Sequence, residues 1–200
     1  MTVLTKARIE WSVPSPRAGW RGAVDRFFGP GPTRAEVVVQ AVGVPLLAAT
    51  LLAASGDVLG GLGPLGVLVL VLFAVDGAGG ILTNSTGTAK RWYHRPGTRG
   101  ERLRFVGLHV VHVALLAWLV MGDAAWFWVT TGLLVLGAVV VEWTPWEVKR
   151  PTAAGLLVAG VVVSGALTSV PAALTWVPLV LFAKLLVAHL VPEAPFRRPT

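Results

Sequence analysis

Five ionisable side chains stand inside otherwise apolar stretches of this chain: Asp76, His109, His112, Lys184 and His189. Holding such a group within a membrane helix costs about 2.5–3.5 kcal/mol, which makes each one a candidate functional residue. His109 and His112 are three residues apart and therefore share one helix face, from which both can address Asp76 on the preceding apolar stretch. A carboxylate facing two imidazoles suits general acid–base catalysis, with Asp76, His109 and His112 as the catalytic candidates. The same three residues are also a candidate site for a divalent metal such as Zn²⁺ or iron, with His189 as a further ligand. A structural alternative has Asp76 pairing with a histidine or with Lys184 simply to fix helix packing. Lys184 invites comparison with a Schiff-base lysine, but six helices do not match a seven-helix retinal protein; snorkelling or pairing with Asp76 is the simpler expectation.

The stretch from Asp76 to Arg95 is the most chemically loaded. Gly77, Gly79 and Gly80 permit close backbone approach, Thr83, Asn84, Ser85, Thr86 and Thr88 supply hydroxyl and amide groups, and Lys90, Arg91, His94 and Arg95 follow. Cations beside hydroxyls are what a phosphate or diphosphate headgroup seeks. Asn84, Lys90, Arg91, His94, Arg95, Lys184 and His189 are therefore the expected substrate-binding residues. No Walker spacing is present, which excludes a nucleotide loop, and no paired acidic motif is present to chelate Mg²⁺ around a diphosphate. The competing reading is a basic loop that sets topology and touches anionic lipid.

The elements that must position these residues follow from hydropathy. Hydrophobic residues make up 54% of the chain and charged ones only 14%, against about 25% charged in soluble domains. Mean hydropathy is +0.71. Six runs are long enough to cross a bilayer, which takes roughly 17–25 apolar residues each. They are Val37–Ala54, Leu62–Leu82, Phe105–Met121, Ala124–Val141, Ala153–Val170 and Ala172–Val191. Continuous runs, without the alternation of barrel strands, specify an all-α integral membrane protein built as a six-transmembrane-helix bundle. Residues 1–35 form an interfacial N-terminal segment, 36–192 the transmembrane domain and 193–200 a tail.

Charge distribution orients the bundle. Lys6 and the arginines up to Arg34, the Lys90–Arg104 group, Lys149 with Arg150, and Arg197 with Arg198 all fall on the same side, while Asp57 and Asp123 mark the other. The positive-inside rule then places both termini in the cytoplasm of a cell that holds the protein in its plasma or inner membrane. The net charge of +7 reflects this topology and anionic lipid headgroups, not nucleic-acid binding. The first 35 residues lack the apolar core of a secretory signal. Their Ile9, Trp11, Trp20, Val24, Phe27 and Phe28, interleaved with Lys6, Arg8, Arg17, Arg21 and Arg26, suit the headgroup layer. Trp126, Trp128 and Trp176 are expected in one aromatic belt and Trp143 with Trp146 in the other, and Glu142 is expected to be a solvated helix-end residue. Gly160 with Ser164, and Gly155 with Ala159, have close-packing spacing. Cysteine is absent, so thiolate and disulfide chemistry are excluded.

At about 1.5 Å per residue, Asp76 lies roughly 12 Å inside Asn84, and His109 and His112 roughly 7 and 12 Å beyond Arg104. Every intramembrane ionisable residue is thus expected in the cytoplasmic half. The resulting functional expectation is an enzyme acting on a lipid or isoprenoid-like substrate through acid–base or metal-assisted chemistry, with membrane lipids as its surroundings. The alternatives are a small proton- or ion-coupled transporter working as a homodimer, and a non-catalytic membrane accessory subunit.

Overall fold

The computed structural model describes residues 8–194 and 196–197; Lys6 and Arg198 lie outside them. Apart from one two-residue antiparallel pairing, Arg8–Ile9 (β1) with Phe196–Arg197 (β2), the described chain is helical. In order come α1 (Gly19–Phe28), α2 (Arg34–Ala54), a single turn α3 (Gly56–Leu59), α4 (Pro64–Asn84), α5 (Gly87–Tyr93), α6 (Arg99–Leu108) and α7 (Val110–Leu116). They are followed by α8 (Ala124–Trp143), α9 (Trp146–Leu167) and α10 (Trp176–Phe182). Two segments are wound as π-helix: Ala117–Met121 after α7, and Ala183–His189 continuing α10.

Six helical spans are long and apolar enough to cross a membrane: α2, α4, Arg99–Met121, α8, α9 and Ala172–His189. Two begin well before the apolar runs expected from sequence, at Arg99 instead of Phe105 and at Trp146 instead of Ala153. The added turns carry charges that find partners at the bundle end, so the backbone stays helical where hydropathy is low.

Local chemistry explains the helix starts. Thr33 and Glu36 form a reciprocal capping box on α2, with Glu36 N–H donating to Thr33 Oγ1 at 3.2 Å and Thr33 N–H to Glu36 Oε2 at 2.7 Å. The same Glu36 carboxylate accepts the Thr88 N–H and hydroxyl, both at 2.9 Å, which fastens the start of α2 to the start of α5. Pro64 opens α4, where its missing N–H costs nothing. Asp123 caps α8 by accepting from Ala125 and Trp126.

The last span is the centre of the bundle. It is packed by α4 on one side and α9 on the other, and 67% of its most apolar window is buried against 11% for α2. Leu181, Phe182, Leu185 and Leu186 are fully enclosed. Gly160 of α9 leaves room for Phe182, and its neighbour Ser164 meets Thr130 of α8 at 3.0 Å. Gly155, by contrast, faces open space.

Two tryptophans expected at an interface are interior. Trp126 is fully buried, and Trp176 stacks on Phe73 and donates its indole N–H to Ser55 Oγ at 2.9 Å. Trp128, Trp143 and Trp146 are exposed.

The basic segments converge on one end of the bundle, called here the charged end. There α1 lies on α5: Trp92 donates its indole N–H to Arg26 O at 2.8 Å and Tyr93 its hydroxyl to Phe27 O. Gly29 closes α1 with a positive φ of 89°, and a Cβ there would run into the Thr88 carbonyl, so only glycine fits this junction. Trp20 and Phe27 of α1 stay exposed.

Candidate functional site

The third span breaks its regular winding at His109. The His109 N–H bonds to Val106 O at 3.0 Å, a tightened turn, and the Phe105 carbonyl that an α-helix would have assigned to it accepts instead from His109 Nδ1 at 2.7 Å. With its proton on Nδ1, His109 presents the lone pair of Nε2 away from its own helix. Lys184 meets that lone pair. Its Nζ lies 2.7 Å from His109 Nε2 and donates to Asp76 Oδ2 at 2.5 Å. Three spans are thereby joined in one chain of hydrogen bonds: Asp76 from α4, Lys184 from the last span and His109 from the third.

Lys184 reaches this position because Gly80 lets it. A Cβ at Gly80 would fall on the Lys184 side-chain carbons. Lys184 itself lies on the π-wound segment, a geometry frequent at functional sites. His112 completes the group, its ring stacked on His109 with centroids 4.8 Å apart and its Nε2 3.9 Å from Asp76 Oδ2.

Burial separates the roles. The side chains of Lys184 and His109 are 1% and 5% exposed, whereas Asp76 is 38% exposed. Asp76 faces a cavity of about 630 Å³ between α1, α2 and α4. The wall is mostly apolar, formed by Val24, Phe28, Val37, Val44, Val75 and Phe105 among others, and its polar members include Gln40, Thr83, Asn84 and Lys184. The Thr83 hydroxyl donates to Gln40 Oε1 at 2.9 Å, while the Asn84 Nδ2 is buried with no hydrogen-bond partner among the described residues.

The expected substrate-binding residues divide. Asn84 and Lys184 line the cavity with Asp76. Lys90 does not: it is buried, and its ammonium donates to Ala188 O at 2.5 Å and Val191 O at 2.6 Å, closing the end of the last span. Arg91 is buried and donates to Thr88 Oγ1 at 3.1 Å. His94 bonds to His189 O at 3.0 Å. His189 sits behind Phe105 and Tyr93, its ring 4.3 Å from the Phe105 ring, away from Asp76. Arg95 stacks on Trp92 at 3.7 Å. Burial lowers the Lys90 ammonium to about 8 and His94 to about 3, and raises the Tyr93 phenol to about 12. The segment therefore works as a clasp around the last span.

A second cavity of about 560 Å³ opens at the charged end, with Arg95, Arg99, Arg102 and Lys149 around Glu142. Glu142 is buried, not solvated. Arg102 donates to both its carboxylate oxygens, Arg99 lies 3.5 Å away, and Lys149 donates to its backbone carbonyl at 3.0 Å. Hydropathy gave no sign of this pair, because Arg102 and Glu142 lie 40 residues apart.

Among the described residues, no group of three or more His, Cys, Asp or Glu side chains has metal-binding geometry. The reason is visible at Asp76, where the Lys184 ammonium takes the place between carboxylate and imidazole that a cation would need. What the arrangement can do is move protons, with a carboxylate reachable from an apolar cavity and a lysine–histidine relay enclosed behind it. No protein-family profile, curated protein or solved structure matches the chain.

Proposed function

We propose that this chain is a multi-pass protein of the cell membrane, with its charged end and both termini in the cytoplasm, and that it is an intramembrane enzyme for a lipid- or isoprenoid-like amphiphile. The observation that carries the reading is the half-open Asp76 at the polar end of an apolar cavity, backed by the enclosed Lys184 and His109. Asp76 is the catalytic residue. Its carboxylate takes a proton from the bound substrate while the electron pair of the broken bond stays on the substrate, and the resulting acid returns the proton at another position. Such a transfer is balanced without any co-reactant. Lys184 is a positioning residue that holds Oδ2, and His109 in turn fixes Lys184 through a tautomer set by the Phe105 carbonyl. His112, half exposed beside Asp76, is a second group able to exchange protons.

Acid–base chemistry is favoured over the metal-assisted version by the position of Lys184. Transport has less support, because polar groups of the opposite end bond to one another: Trp176 to Ser55, Asp123 to Ser169. The test compares lipid extracts of membranes holding wild-type protein with those holding Asp76→Asn. Loss of a general base of this kind costs about 10²–10⁴ in rate, so the product lipid should fall at least 100-fold with folded protein present in equal amount. Unchanged lipid composition between the two would remove the proposal.

A further inference from the structure

Every charge on the cavity wall is already neutralised. Arg17 is joined to Asp25 by hydrogen bonds of 2.9 and 2.6 Å, and Lys184 is joined to Asp76. The cations of α5 and its exit point elsewhere: Lys90 into carbonyls of the last span, Arg91 to the Thr88 hydroxyl, and Arg95 toward the second cavity, which shares no lining residue with the first. A phosphate or diphosphate brought into the first cavity would meet two carboxylates and no cation without a partner among the described residues. Desolvating such an anion without a counter-charge is strongly unfavourable.

Asn84 asks for something different. It is 5% exposed, it closes α4 on the cavity wall, and its Nδ2 is the one buried polar atom of that wall without a hydrogen-bond partner among the described residues. Its neighbours do not serve it: the Thr83 hydroxyl turns its proton to Gln40 Oε1, and among the described residues neither of these oxygens accepts from Asn84. A buried donor left unmet is costly, and an uncharged oxygen on a ligand supplies the partner at little desolvation cost. Asn84 lies eight residues from Asp76 on the same helix, about 12 Å along its axis.

We infer that the substrate is an amphiphile with an uncharged oxygen-bearing head, a carbonyl or ester oxygen accepting from Asn84 Nδ2, and that its reacting group lies about 12 Å from that head, beside Asp76. The inference rests on the proposed acid–base site for the identity of the reacting end, and adds the head chemistry.

The probes are farnesyl acetone, an acceptor-only ketone, and farnesyl diphosphate, measured by equilibrium binding to the full-length protein in phosphatidylcholine nanodiscs. The ketone is expected to bind at least ten-fold more tightly than the diphosphate. Asn84→Leu should weaken the ketone about ten-fold while leaving the ligand-free unfolding temperature unchanged or higher, because an unmet donor is replaced by an apolar group. Asp76→Asn removes the proposed base and should weaken the ketone less than Asn84→Leu does, since the head contact lies about 12 Å away. Tighter binding of the diphosphate, binding of neither probe, or ketone affinity indifferent to Asn84→Leu would overturn the inference. If Asn84→Leu weakens the ketone but Asp76→Asn leaves turnover intact, the head assignment stands and the acid–base proposal falls. The reverse pattern separates them the other way.

Discussion

Among the described residues, two carboxylates inside the bundle are paired across helices, Glu142 and Asp76, and they are finished differently. Between α6 and α8, Arg102 donates from Nε and Nη2 to Glu142 and from Nη1 to the Tyr93 carbonyl and the Thr98 hydroxyl, so the guanidinium is engaged on all sides. Both side chains are largely enclosed, at 12% and 2% exposure. Between the last span and α4, Lys184 is equally enclosed, but its carboxylate partner opens onto a cavity. The saturated pair holds the bundle end together, while the half-open one leaves an oxygen accessible to a ligand. Exposure of one partner, not the presence of charge in a membrane helix, is what marks a candidate for chemistry.

The contrast is broken most sharply at Glu142. Glu142→Ala strips Arg102 and Arg99 of their carboxylate and should destabilise the protein by about 3–5 kcal/mol, read by denaturant unfolding in detergent. Less than about 1 kcal/mol would mean the pair is not structural. Next comes the clasp. Lys90→Met leaves the Ala188 and Val191 carbonyls unmet and should cost about 2 kcal/mol in the same assay.

A third effect depends on pH. His94 stays neutral in the folded protein down to about 3, whereas the unfolded chain protonates it below 6.5. Stability is then fully present above pH 6.5 and falls as the pH drops from there toward 3, by at most about 1.4 kcal/mol per pH unit. His94→Gln, which keeps a donor for the His189 carbonyl, should flatten that slope; an equal slope in the variant would assign the acid sensitivity elsewhere. The smallest effect on folding is expected at the open pair. Asp76→Asn retains an oxygen for Lys184 and should shift stability by less than about 1 kcal/mol, even though it removes the proposed catalytic base. A large loss of folded protein would place Asp76 with Glu142 among the structural pairs.

The six spans were legible because each is a long apolar run, and the grouping of Asp76, His109, His112 and Lys184 followed from counting residues inward from the charged loops. His189 was expected in the same half of the bundle as these residues but lies on the other side of Phe105, and counting along the chain cannot separate the two sides. The fates of Lys90 and His94 depend on carbonyls released at the end of a helix about 100 residues away, which no local pattern encodes. Trp126 read as an interfacial anchor because burial depends on which helices surround it. The break at His109 hides inside one continuous apolar run, since a side chain has replaced a backbone donor there.

The central position of the last span has a consequence for biosynthesis. Asp76 and His109 belong to spans that leave the ribosome early, and Lys184 arrives only with the sixth. The last segment made therefore brings both the most buried helix of the bundle and the ammonium partner of Asp76, and a chain truncated before residue 184 has neither.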